Sequence, residues 1–76
     1  MKDKIIEIVR GACALPEQVE ENTALKSLSL DSLSFVEMLV ELENAFGIEF
    51  DIDAFDALYN GTAGDIVVAV KEKTNG

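Results

Sequence analysis

The sequence contains no histidine, no tryptophan, a single cysteine and a single proline, and only six basic residues against fifteen acidic ones. Each shortage removes a class of chemistry. Without histidine there is no Ser-His-Asp triad, no histidine-activated thiol and no histidine metal ligand, so no metal site is expected. The lone Cys13 cannot form an internal disulfide. With no base to ionise it, Cys13 reads as a small buried side chain on the first helix. A net charge of −9 argues against a nucleic-acid partner, because phosphate binding needs clustered Lys and Arg. No stretch approaches the roughly 18–20 apolar residues of a membrane span. The start, Met1-Lys2-Asp3-Lys4 followed by a short amphipathic run, lacks the apolar region of a signal peptide. A cytoplasmic, monomeric protein is expected.

What is present is a small, apolar-rich chain: 76 residues, 49% of them hydrophobic, enough for one modest core and a single domain over residues 1–76. Its charge is unevenly placed. Between Ser27 and Val70 there is no basic residue, while the same stretch holds Asp31, Glu37, Glu41, Glu43, Glu49, Asp51, Asp53, Asp56 and Asp65. Acidic faces usually serve solubility. Nine acids without one compensating base exceed that need, and they fit a surface met by basic patches on partners.

Helical periodicity organises the chain. Ile5, Ile6, Val9 and Cys13, with Ile8 and Ala12 alongside, predict a first helix over 3–14, ended by Pro16. Residues 16–30 follow as a long irregular connection, with Leu25, Leu28 and Leu30 as anchors to the core; long loops in small domains tend to be functional. A second helix is expected from Asp31 to Phe46, with Val36, Leu39, Leu42 and Phe46 toward the core and Leu33, Phe35, Met38 and Val40 widening that stripe. Gly47 supplies its stop. Ile52, Phe55, Leu58 and Tyr59 predict a short helix over 53–59, and Asn60-Gly61 a turn. Thr62-Ala63-Gly64-Asp65 has the form of a capping box that opens a last helix. Its run Ile66 to Val70 is β-branched, but a lone strand has no partner, so it is read as helix. The fold class is all-α: a small bundle of three main helices and one short helix, with a long first loop.

The stretch Leu28-Ser29-Leu30-Asp31-Ser32-Leu33-Ser34 places hydroxyls and a carboxylate at the mouth of the second helix. By residue type, Ser32 is most readily a cap, and Asp31 or Ser34 could play that part equally. A second reading follows from the unpaired N–H groups and dipole of a helix N-terminus, which favour a phosphate there, although the acidic neighbours oppose it. A self-activated nucleophile lacks its base.

Asp31-Ser32-Leu33, followed by Phe35-Val36-Glu37-Met38-Leu39-Val40-Glu41-Leu42-Glu43-Asn44-Ala45-Phe46-Gly47-Ile48-Glu49-Phe50, resembles the acyl carrier proteins, and the likeness covers nearly the whole chain. The resemblance implies a carrier and not an enzyme. Ser32 would bear a covalent 4′-phosphopantetheine arm through a phosphodiester, making the chain a phosphoprotein, and cargo would ride on the arm's thiol as a thioester. A phosphopantetheinyl transferase installs such an arm from coenzyme A. Asp31 matches the aspartate that helps the transferase and its metal engage, and Leu33 matches a hydrophobic contact for partner enzymes. Glu37, Glu41, Glu43 and Asp56 fall where the family presents acids to the basic docking patches of enzymes that build or load acyl chains.

The chain departs from the family pattern where glycine often precedes the aspartate (Ser29 and Leu30 here), at Ser34, frequently acidic in fatty-acid carriers, and at Asp51, in place of a common proline. Acyl carriage in fatty-acid or polyketide-type biosynthesis is the leading expectation. An aminoacyl carrier, of the D-alanyl or peptidyl type, is the alternative. Two other classes fare worse. An unmodified interaction module would make Ser32 a cap only. A calcium sensor built on Asp51-x-Asp53 lacks the required residues, with Asp56 at the sixth loop position and Thr62 at the twelfth.

Overall fold

Why α2 begins where it does is settled by one carboxylate. The computed structural model describes residues 2–15 and 17–75, with four α-helices and a short 3-10 turn among them. They are α1 (Lys2–Ala12), the 3-10 turn (Leu25–Ser27), α2 (Ser32–Phe46), α3 (Ile52–Tyr59) and α4 (Ala63–Asn75). The expected all-helical bundle is what the chain forms. Asp31 holds the extended N-cap conformation of α2, and its side chain accepts the Ser34 N–H at 2.8 Å. At the other end Gly47 takes the left-handed conformation (φ 65°, ψ 39°) that glycine adopts without a Cβ penalty. The Ile48 N–H then returns to the Glu43 carbonyl and closes the helix.

The core stripe of α2 differs from the expected one. Phe35, Met38, Leu39 and Leu42 are buried, with Phe46 half-buried, whereas Val36 and Val40 are exposed. Eight large apolar residues are spread around this helix, so hydrophobicity alone leaves its rotation open. The buried set has the i, i+3, i+4, i+7 spacing that one face requires, and it admits the larger Phe35 and Met38 in place of Val36. Around α2 pack α1, α3 and α4, and α4 also packs on α1. Ile5 and Val9 of α1, Leu58 of α3 and Ala63, Ile66, Val67 and Val70 of α4 complete the core with Val19, Leu25, Leu30 and Phe50. The short helix expected over 53–59 is present as α3, and Ile52, part of the pattern that predicts it, is 87% exposed at its start.

Helix α1 ends before residue 14, because its next backbone donors turn to the loop: the Ala14 N–H goes to the Ser29 carbonyl and the Leu15 N–H to Ser29 Oγ. Pro16, the expected stop, lies outside the described residues. Cys13 is half-buried at this exit and not in the core. Burial pushes its thiol up, and Glu17 adds to the shift.

The long loop is held at both ends. Leu25 and Leu30 are buried as expected, with Leu28 half-buried and Val19 an additional anchor. Ser29 donates its hydroxyl and its N–H to Glu17. Ala24 and Thr62 form an isolated antiparallel bridge, flanked by the Leu25 N–H to the Gly61 carbonyl and the Ala63 N–H to the Thr23 carbonyl. The expected capping box of α4 is present: Thr62 Oγ1 accepts the Asp65 N–H, and Asp65 Oδ2 accepts the Thr62 N–H. Gly64 donates to the Glu21 carbonyl at 2.7 Å, and a Cβ on it would lie 2.8 Å from that same backbone oxygen. Gly64→Ala should therefore push the loop off α4 and cost about 1–3 kcal/mol, the range for overpacking. A thermal midpoint equal to the parent's would contradict this close approach. Among the described residues, no helix is long and apolar enough to cross a membrane.

Candidate functional site

The loop so anchored delivers Leu28 to Asp31 to the N-terminus of α2 with its path fixed. Leu30 is buried, and its carbonyl accepts the Tyr59 hydroxyl of α3 at 3.2 Å. The Tyr59 ring lies against Phe35 of α2, centroids 4.9 Å apart, and Lys26 Nζ sits 5.7 Å from the Tyr59 ring centre. Loop, α2 and α3 thus meet around one aromatic pair directly beneath residue 32.

Of the three capping candidates, Asp31 is the one that caps. Its carboxyl is held below the usual range, chiefly by the Ser34 N–H and then by the Ser34 hydroxyl. Ser32 is the first residue of α2 and is exposed, and its hydroxyl has no hydrogen-bond partner among the described residues. A hydroxyl left free at the positive end of a 15-residue helix has both access and a field suited to a phosphate group. Beside it opens a cleft of about 220 Å³ between α2 and α3, lined by Ser32, Phe35, Val36, Phe55, Asp56 and Tyr59.

The remaining predicted residues fall on either side of this serine. Leu33 is 68% exposed, and with Val36 and Val40 it forms an apolar strip down the outer face of α2. Glu37 and Glu41 are exposed along one flank of that strip, and Asp56 is exposed on α3 across the cleft. Glu43 is drawn inward: it is half-buried and accepts the Phe50 N–H at 2.7 Å, tying the chain after α2 back onto it. Val36 and Val40 were missed as surface residues because their hydrophobicity assigned them to the core. Only the burial of Phe35 and Met38 reveals the true rotation of the helix.

The Asp31 cap has a pH signature. A carboxyl whose folded pKa is lowered contributes stability above its unfolded pKa, and that contribution is lost as pH falls through the folded value. Asp31→Ala should accordingly lower the thermal midpoint at neutral pH, with the gap from the parent shrinking in acid. Thermal melts of both proteins from neutral to acidic pH check this. A gap independent of pH would show that the ionised carboxylate is not what stabilises the helix end.

A protein-family profile described as phosphopantetheine attachment site matches residues 3–70. The acyl carrier protein of Shigella flexneri is 34% identical over 76 residues, covering 97% of this chain and 95% of that protein. Nodulation protein F of Rhizobium leguminosarum bv. viciae is 38% identical over 63 residues, covering 82% and 67% respectively. The acyl carrier protein of Chlamydia muridarum is 34% identical over 61 residues, covering 79% and 77%. No solved structure matches the chain significantly.

Proposed function

The chain belongs to the acyl carrier protein family, and from that premise we propose that Ser32 Oγ is the atom to which its phosphopantetheine arm is attached. The chain is an acyl carrier of fatty-acid or polyketide-type synthesis, and its cofactor is covalent 4′-phosphopantetheine. The observation that carries the assignment to Ser32 is its free, exposed hydroxyl at the first turn of α2, with Asp31 already serving as the cap. Those residues fit a phosphodiester: an unengaged oxygen, a helix N-terminus behind it and open space beside it. When bound, the arm supplies the terminal thiol on which cargo is held as a thioester.

Asp31 fixes the backbone under Ser32 and keeps an ionised carboxylate beside it for the transferase and its metal to engage. Leu33, Val36 and Val40 offer apolar contact next to the modified serine, and Glu37, Glu41 and Asp56 frame it with negative charge. Partners with basic docking patches, the phosphopantetheinyl transferase first and then the enzymes that load or extend the acyl chain, are steered to that face. The protein acts as a monomeric, cytoplasmic, single-domain carrier whose chemistry is done by those partners. The names of the acyl-carrier relatives favour acyl over aminoacyl cargo.

Incubation of the apo-protein with coenzyme A and a broad-specificity phosphopantetheinyl transferase tests this reading. One pantetheinyl mass per chain is expected, and a chain that gains no mass would overturn it.

A further inference from the structure

Gly11 has no local reason to be glycine. It lies inside α1, it is not among the residues of positive φ, and a Cβ built on it would meet nothing within 4 Å. Gly11 is the last but one residue of α1, and neither tight packing nor a left-handed backbone calls for glycine there. What Gly11 does is leave a space open. A cleft of about 290 Å³ is lined by Lys4, Glu7, Ile8, Gly11 and Glu41. A second, of about 270 Å³, is lined by Gly11, Ala12, Ser34, Glu37, Met38 and Glu41. They share Gly11 and Glu41 and so lie side by side in the furrow between α1 and α2, the second reaching Ser34, two residues beyond Ser32.

The furrow has a distinct chemistry. Ile8, Ala12 and Met38 supply apolar surface, while Glu7 on α1 and Glu37 and Glu41 on α2 supply carboxylates. Among the described residues none of these three acids makes a hydrogen bond or ion pair, and the ion pair that is present, Lys2 with Glu21, lies elsewhere. Lys4 lines the end remote from Ser34 without pairing to any of them. An apolar trough edged by unpaired carboxylates matches a long basic side chain, whose stem is aliphatic and whose head is cationic.

We propose that this furrow receives an arginine or lysine side chain from the enzyme that modifies Ser32, and that Gly11 is kept free of a side chain to admit it. The proposal rests on the reading of Ser32 as the arm site and of α2 as a docking face. It adds α1 as the second wall of that dock, with Glu7 as a contributor that α2 alone does not supply.

The test is the dissociation constant between apo-protein and a phosphopantetheinyl transferase, measured by titration calorimetry, together with KM and kcat for arm transfer from coenzyme A. Gly11→Gln, which fills the furrow with a neutral side chain, should raise Kd and KM by about two- to fivefold, the range for one lost exposed charge pair, with kcat unchanged. Gly11→Ala should give a smaller rise in the same direction. Glu7→Gln should also raise Kd and flatten its dependence on salt. A Gly11→Gln protein that binds like the parent, while Glu37→Lys with Glu41→Lys binds weakly, would overturn the furrow and leave the α2 docking face standing. If that charge-reversed protein also binds like the parent, docking through the acidic face fails as well. Should Gly11→Gln lose its helical signal, Glu7→Gln decides the question, and an unchanged Kd refutes the proposal.

Discussion

Replacing Ser32 by alanine is expected to abolish arm attachment while leaving the folding free energy within about 0.5 kcal/mol of the parent, the range of surface substitutions that break no structural feature. The two halves of this expectation have separate causes. Attachment needs an oxygen, and Ser32 supplies an exposed, unengaged hydroxyl at the α2 N-terminus: Ser34, half-buried one turn on, gives its N–H to the Asp31 carboxylate, while Ser29 is bound to Glu17. Stability does not need that oxygen, because Asp31 caps the helix and alanine is a good residue in its first turn. Had Ser32 been the cap, its loss would have cost about 0.5–2 kcal/mol. The informative outcome is therefore the pair of measurements, mass gain and denaturant unfolding, made on the same variant. A residual mass gain on Ser29 or Ser34 would move the site. A large loss of stability would show that the hydroxyl is structural after all.

Phe35→Ala is expected to be the most damaging change to the fold, at about 3–5 kcal/mol. Phe35 is 2% exposed, packs on Tyr59 across the α2–α3 interface and lines the cleft beside Ser32. A chain of 76 residues commands on the order of 4–11 kcal/mol in total, so this truncation removes a large share of it. The neighbouring Tyr59→Phe keeps the ring pair and deletes only the hydroxyl donated to the Leu30 carbonyl, which should cost about 0.5–1.5 kcal/mol. Chemical denaturation of the two variants side by side checks the ordering. Equal losses would mean that the hydroxyl contact, not ring burial, joins α3 to the base of α2.

The helices were legible in the sequence where local chemistry fixes them. Gly47 and the Thr62–Asp65 box mark helix ends through residue types that act on the backbone beside them, and both act as expected. The end of α1 was not legible, since it depends on Ser29, 14 to 15 positions away, drawing off the Ala14 and Leu15 donors. The rotation of α2 was lost for a related reason. Phe35 and Val36 are both apolar, and only Tyr59 and the α3 packing make Phe35 the inward one. Ile52 shows the same gap between element and packing, since the helix it helps predict is present while its own side chain is 87% exposed.

The candidate site was more readable than the packing around it. Asp31 and Ser32 were identified as neighbours at a helix mouth, but their division of labour was not, because serine and aspartate are nearly equal as caps. One hydrogen bond, from the Ser34 N–H to Asp31, separates the cap from the free hydroxyl. Glu43 shows the limit of reading acids by position, since a carboxylate on a helix surface can equally be turned inward to a backbone donor such as that of Phe50.

What Ser32 bears in the living cell decides whether it is the attachment site. Intact-protein mass spectrometry of material from its native host, with thioesters preserved and the modification localised by fragmentation, measures this directly. The expected result is a single 4′-phosphopantetheine arm on Ser32, a fraction of it extended by an acyl mass that hydroxylamine removes. A native protein with Ser32 unmodified, or with its arm on another residue, would contradict the assignment.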